Sequence, residues 1–237
     1  ACGKRVMTSS SSPGISLKSE GISYLAGCEL PALIVNVQRG GPATGLPTKS
    51  EQTDLLQVLF GRNGESPMPV IAATSPTDCF ECAYAASKMA LEHMTPVVLM
   101  TDAFIANGSA AWKLPNLAEY PAINPPYVQP EMKESWTPYQ RNEETGVRYW
   151  AIPGTEGFTH ILGGLEKDNK TGAISTNPEN HHLMTQLRQQ KIEKIEVPDV
   201  VVEGDADDAE LLIVGFGGTY GHLHAAMDEL QAKGKKV

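Results

Sequence analysis

Along the first 110 positions, apolar and polar residues fall into two kinds of run. Short, nearly continuous, β-branched stretches occupy residues 5–9, 31–37 (PALIVNV), 69–73 (PVIAA) and 96–100 (PVVLM), a pattern that predicts strands buried on both faces of a parallel sheet. Between them lie segments of helical period at 15–25, 51–60 and 78–93, and the last sets Phe80, Ala83, Tyr84, Ala90 and Leu91 on one inward stripe. Thr48-x-x-Glu51 fits a capping box that would open the second helix, and Gly61 would end it; Asp78-x-x-Glu81 marks the start of the third. Strand and helix alternating at this spacing predict a parallel, doubly wound α/β layer.

The pattern dissolves between residues 111 and 205 into prolines, aromatics and polar clusters. Trp112, Tyr120, Tyr127, Trp136, Tyr139, Tyr149, Trp150 and Phe158 make this stretch too aromatic for a disordered linker, so an ordered connecting segment is expected, with one amphipathic helix near 181–194. An acidic boundary at 199–208 follows. The strand-like LLIVGF, the turn GGTYG and a helix at 222–233 then restart the α/β pattern, and residues 235–237 open a further strand. The expected division is 1–110, 111–205 and 206–237, with the first and last units incomplete and the chain drawn from the middle of a longer polypeptide.

In a parallel sheet the strands present ligands at their carboxyl ends. Four such ends are expected to form one mouth: residues 8–12 with Pro13-Gly14, 38–48, 73–75 and 101–107. The stretch VQRGGPATGLPT carries the most chemistry. Arg39 ends an apolar strand, Gly40, Gly41 and Gly45 allow close backbone approach, and Pro42 and Pro47 stiffen the loop. A guanidinium beside a helix start suits a planar oxyanion, carboxylate or phosphate. The plainer alternative gives Arg39 a structural acidic partner and Thr48 only a cap. The hydroxyls of Thr8, Ser9, Ser10, Ser11 and Ser12 form a second polar rim.

Composition narrows the classes. A net charge of −9 with no basic patch argues against nucleic acid or an anionic membrane as main partner, and no apolar run approaches the roughly 20 residues of a membrane span. The N-terminus has no signal-peptide pattern, so the cytoplasm is the default. Four scattered cysteines suggest reduced thiols, and Cys79-Phe-Glu-Cys82 lacks a second pair or a suitably spaced histidine, which favours a structural role over redox or metal chemistry. The six histidines show no metal-ligand spacing; His181-His182 and His222/His224 share no helix face, and His160 is at most a polar contact. Gly215, Gly217, Gly218 and Gly221 depart from the dinucleotide fingerprint, and close packing explains them better. A nucleotide-binding α/β domain and a non-catalytic interaction module stay open as alternatives.

Four stretches carry a resemblance: RVMTSSSSPGISLKSEGISYLAG, ELPALIVNVQRGGPATGLPTKSEQTDLLQ, DCFECAYAASKMALEHMTPVVLMTDAFIANGS and ELLIVGFGGTYG. Together they resemble the α subunit of 2-oxoacid:ferredoxin oxidoreductases, the 2-oxoglutarate type above all. The resemblance implies a thiamine diphosphate pyrimidine-type domain over residues 1–110 and the start of a transketolase C-terminal-like domain from 206. It implies thiamine diphosphate shared with a β subunit that carries Mg²⁺ and an iron–sulfur cluster. It also implies oxidative decarboxylation of a 2-oxoacid, with electrons passed to ferredoxin and the acyl group to coenzyme A. Arg39 would clamp the substrate carboxylate, while Thr44, Thr48 and Lys49 would shape the pocket. The chain departs from the family's pattern at Ser12, Ala43 and Ala103, where glycine, serine and glycine are usual. The activating glutamate and the YPITP segment would lie upstream of Ala1, so no catalytic acid, base or metal ligand is assigned here, and the isolated chain is expected to be inactive.

Overall fold

The computed structural model describes residues 1–47, 49–205 and 207–237. Its centre is a four-stranded, wholly parallel sheet in the order β1–β2–β4–β3, formed by β1 (Met7–Ser11), β2 (Ala32–Gln38), β3 (Val70–Ala72) and β4 (Pro96–Asp102). Ser11 pairs with Val37 and Val37 with Thr101, so the strand ends converge at one edge, as expected.

Two cores explain why β2 and β4 read as unbroken apolar runs. On one face Ile34, Val98 and Met100 meet Ile15 and Ile22 of the first helices and Val58 of the third. On the other face Leu33, Val97 and Leu99 meet Ala86 and Ala90 of the long helix and Ile105. Successive side chains of one strand thus serve opposite layers, the arrangement of a doubly wound fold.

Several boundaries move from the expected ones, each for a local reason. The helix expected at 15–25 is two helices, α1 (Ser12–Ser16) and α2 (Ser19–Cys28). Pro13 stands in the first turn of α1, and the break falls at Leu17, which is exposed. Helix α3 runs Leu55–Phe60, not 51–60. The carboxylate of Glu51 does not fold back into a capping box but accepts from the backbone N–H of Gly41, and Asp54 becomes the residue before the helix. Thr48, the other half of the expected box, lies outside the described residues. Helix α4 (Asp78–His93) has the expected bounds; Ser75 Oγ caps the Asp78 N–H (3.1 Å), and Asp78 in turn accepts from Thr74 N and Oγ1 at 2.8 and 2.9 Å. Its inward stripe is narrower than expected. Ala86, Ala90 and Leu91 are buried, whereas Phe80 and Tyr84 stack with Trp112 and Tyr120 of the connecting segment. A short α5 (Ala103–Asn107), absent from the sequence pattern, is capped by Asp102, whose Oδ1 accepts from Phe104 N and Ile105 N.

The connecting segment is ordered. It contains one long helix, α6 (Pro178–Glu193), which starts three residues before the expected position because Asn177 caps it and Pro178 suits its first turn. Val147 and Trp150 pack against Leu91 and Met94 at the C-terminal end of α4, so this segment closes the base of the sheet, opposite the mouth. The apolar stretch at 211–216 is not a strand: among the described residues its one backbone ladder contact is from Glu210 and Leu211 N–H to Lys236 O, and Leu212 and Val214 are exposed. Helix α7 (Tyr220–Ala232) ends the regular structure. Among the described residues no helix is long and apolar enough to cross a membrane.

Candidate functional site

The mouth is built on β2, a central strand. Asn36 and Gln38 are polar residues fully buried in an otherwise apolar strand, and both are spent on one task. Asn36 Nδ2 donates to Asp54 Oδ2 (3.1 Å), Gln38 Oε1 accepts from Asp54 N (3.1 Å), and Gln38 Nε2 reaches Thr101 O. These bonds fix the start of α3 against the strand end. Between them the chain makes the Arg39 loop, whose neck is closed by Gly40 N to Lys49 O (3.1 Å) and by Gly41 N to Glu51 Oε2 (2.7 Å). Gly45 sits at φ +60°, and a Cβ there would collide with the carbonyl oxygen of Gly40, so any other residue forces the loop tip to shift.

Arg39 emerges beside α1, its backbone N–H donating to Ser12 Oγ (3.3 Å). The guanidinium borders a cavity of about 450 Å³ whose polar wall comes from Ser12, Ser16, Thr53, Asp54 and Gln57 and whose apolar wall includes Pro13, Leu17 and Pro42. Its Nε is buried and has no hydrogen-bond partner among the described residues. Among the described residues Arg39 is the one cation in the wall. A buried guanidinium donor without a partner is costly, and the geometry favours a planar oxyanion in the cavity.

Of the four residues expected to shape the substrate site, the structure places Arg39 in the wall. Thr44 and Lys49 are exposed on the loop and outside the cavity wall, and Thr48 lies outside the described residues. Thr53, Asp54 and Gln57 carry no mark in the sequence reading, and Glu51 is read there only as half of a capping box. The run EQTD directly after the loop, polar where a helix face should turn apolar, is the signal that could have pointed to them. Of the serine rim, Ser12 reaches the cavity, with Ser16 beyond it.

The remaining candidate motifs have structural tasks. Burial pushes the Cys82 thiol up to about 12, with Asp78 adding to the effect, and burial also raises Cys79, so neither carries the thiolate that redox or metal chemistry needs. His160 Nδ1 bonds to Phe158 O (2.8 Å) and its ring packs on Trp136. No group of three metal-ligating side chains occurs among the described residues. The glycine cluster packs on the mouth: a Cβ on Gly218 would collide with the Asp102 carboxylate and one on Gly217 with the Gln52 amide, while Gln52 Nε2 donates to Phe216 O (3.0 Å). A second cavity of about 370 Å³ lies at the opposite ends of β1 and β2, lined by apolar groups such as Val6, Met7, Leu33 and Phe80.

Comparison with known proteins gives this geometry a family. Residues 1–180 match the family described as pyruvate flavodoxin/ferredoxin oxidoreductase, thiamine diphosphate-binding. The chain is 51% identical over 231 residues to the 2-oxoglutarate oxidoreductase subunit KorA of Mycobacterium tuberculosis, covering 98% of this chain and 35% of that protein. It is 31% identical to the 2-oxoglutarate synthase subunit KorA of Methanothermobacter thermautotrophicus, covering 91% of this chain and 56% of that subunit. A solved structure, 2-oxoglutarate:ferredoxin oxidoreductase from Magnetococcus marinus with 2-oxoglutarate, coenzyme A and succinyl-CoA bound, superposes with a TM-score of 0.87 at 32% identity over the whole of this chain and 41% of that one. The chain thus spans between about a third and three fifths of these relatives. It belongs to the pyruvate flavodoxin/ferredoxin oxidoreductase thiamine diphosphate-binding family.

Proposed function

We propose that the chain is part of the α subunit of a thiamine diphosphate-dependent 2-oxoacid:ferredoxin oxidoreductase and forms the substrate side of its active site. The observation that carries this reading is Arg39: a guanidinium with an unpaired, buried Nε on the wall of a cavity at the strand ends. The relatives' names favour 2-oxoglutarate as the substrate.

The donor chemistry of the cavity fits one part of the cofactor site. Pro13, Leu17 and Pro42 offer apolar flanks and Ser12 and Ser16 offer hydroxyls, which suit an uncharged ring. A diphosphate with its metal needs a carboxylate set that these walls do not provide, and that end is assigned to a β subunit carrying Mg²⁺ and an iron–sulfur cluster. Thiamine diphosphate, when bound, supplies the carbon nucleophile that takes up the 2-oxo carbon. Arg39 pairs with the adjacent carboxylate and so fixes the direction of the bond that is to lose CO₂. Thr44, Thr48 and Lys49, which follow Arg39 in the chain, are the residues we assign to shaping the rest of the substrate pocket. Ferredoxin and coenzyme A then take the electrons and the acyl group outside this chain. Residues 1–110 form the pyrimidine-type unit, 111–205 the connector, and 206–237 the opening of a transketolase C-terminal-like unit. The four free thiols support the cytoplasmic setting we propose.

The test is Arg39→Ala in the full-length subunit, reconstituted with its β partner and assayed by 2-oxoglutarate-dependent viologen reduction. Loss of a charged hydrogen-bonded contact should lower kcat/KM by about 100-fold. Unchanged turnover at limiting substrate rejects the clamp.

A further inference from the structure

Of the four residues after the loop, three tie it to different parts of the fold and one faces the cavity. Glu51 Oε2 accepts from Gly41 N at 2.7 Å, Gln52 Nε2 donates to Phe216 O at 3.0 Å, Thr53 lines the cavity, and Asp54 is tied to Asn36 and Gln38 of β2 at 3.1 Å each. The stretch is not helical, and the side chains of Glu51, Gln52 and Asp54, which in a helix would splay over several faces, each hydrogen-bond to another segment. Its two ends are unequal. Asp54 is buried and anchored on the rigid sheet, whereas Glu51 reaches into a loop whose Gly41, Pro42, Ala43 and Thr44 are exposed. A carboxylate accepting a backbone N–H at this distance is a charge-assisted contact. It acts on the residue two positions after Arg39.

We propose that residues 51–54 form a brace that sets the Arg39 loop against the sheet, and that Glu51 is its positioning residue for substrate binding. Glu51 does not line the cavity, so it acts through Gly41 and not on substrate. Gln52 extends the brace to the C-terminal turn. Gly217 and Gly218 let that turn approach Gln52 and Asp102 closely, so the same four residues register both the substrate loop and the start of the C-terminal unit. The idea rests on the assignment of Arg39 as the carboxylate clamp, and it adds which residue keeps that clamp in place.

The experiment compares Glu51→Ala, Glu51→Gln and Gln52→Leu with Arg39→Ala in the reconstituted full-length complex. Glu51→Ala should raise KM for 2-oxoglutarate about tenfold and change kcat less than twofold. Glu51→Gln keeps a carbonyl acceptor for the Gly41 N–H, so it should restore KM to within about threefold of wild type. Gln52→Leu should raise KM by about threefold. If Glu51→Ala leaves KM unchanged while Arg39→Ala raises it, the brace is wrong and the clamp stands. If neither changes KM, the clamp itself fails. If Glu51→Gln is as impaired as Glu51→Ala, the carboxylate charge and not loop position is at work, which also overturns the proposal. Should Glu51→Ala not assemble, the Glu51→Gln and Gln52→Leu values decide, and wild-type KM in Gln52→Leu together with a tenfold rise in Glu51→Gln rejects it.

Discussion

At the base of the sheet, Glu29 draws two cations from the connecting segment onto itself; at the mouth, 10 residues along the chain, Arg39 keeps a buried Nε with no hydrogen-bond partner among the described residues. The base cluster is closed. Glu29 is fully buried, Arg141 grips it with both terminal nitrogens, and Lys191 Nζ donates to it at 2.6 Å and to Met94 O at 2.9 Å. Glu29 and Met94 are both non-glycine residues with positive φ, 51° and 50°, at the C-terminal ends of α2 and α4. Such conformations persist only when surroundings hold them, and here one lysine bonds the side chain of the first and the carbonyl of the second. The mouth is open by contrast: its cation faces a cavity and its loop is mostly exposed. The buried Glu29 carboxylate is thus neutralised at the base, whereas the Arg39 side chain at the mouth borders a cavity.

The largest way to break this comparison is Glu29→Gln. Removing the carboxylate leaves Arg141 and Lys191 buried without their counter-ion, which should cost about 3–5 kcal/mol of stability, read by chemical denaturation of the full-length protein. The sign of the pH dependence follows from the same group. Burial alone would raise the Glu29 carboxyl, but Lys191 and Arg141 together hold it far below its ordinary value of 4.5. The folded state therefore binds this proton less readily than the unfolded state does. The stabilisation is complete above about 4.5 and falls as pH drops below it. Glu29→Gln should flatten that acid slope. KM for 2-oxoglutarate should stay at the wild-type value; a KM that rises in step with the lost stability would mean that the two ends are not separate.

How far each end was legible in the sequence follows from the range of its interactions. Strands β2 and β4 and helix α4 declare themselves by local patterns, a run apolar on both faces and a helical stripe. The Arg39 loop is legible for the same reason, since glycine, proline and a strand-end arginine are all local marks. Glu29 is not: it reads as a helix-end residue on the surface, and its partners are 112 and 162 positions away. The pattern predicts helix α3 four residues too long because Thr48-x-x-Glu51 has the spacing of a capping box, yet Glu51 and Asp54 are committed to tertiary bonds. The stretch at 211–216 has strand composition without a neighbouring strand to pair with, and composition alone cannot supply one.

A smaller effect, confined to the mouth, is expected from Gly45→Ala. The added Cβ meets Gly40 O in a left-handed conformation, a strain of about 1–3 kcal/mol that the exposed loop can relieve by moving. The loop shift should raise KM several-fold, while the melting temperature falls by only a few degrees. A large loss of melting temperature with normal KM would show that the loop holds the fold and not the substrate.

The smallest effect sharpens the comparison from the base. Arg148 is 1% exposed, its Nε and Nη2 have no partner, and burial lowers its pKa, with Glu29 only partly opposing. Its one visible compensation is the Tyr139 ring, 6.0 Å from Cζ. Unlike Arg39, it borders neither of the two cavities described, so its unpaired donors await no ligand and are a standing cost. Arg148→Met keeps the length and removes the charge. It forfeits a cation–π contact of roughly 1–2 kcal/mol and regains the desolvation of an unpaired ion, so the net change should lie within about 1 kcal/mol of zero. Denaturation of the full-length variant reads it directly. A loss as large as that of Glu29→Gln would place Arg148 inside the closed ion cluster, and the base would then hold three obligatory cations in place of two.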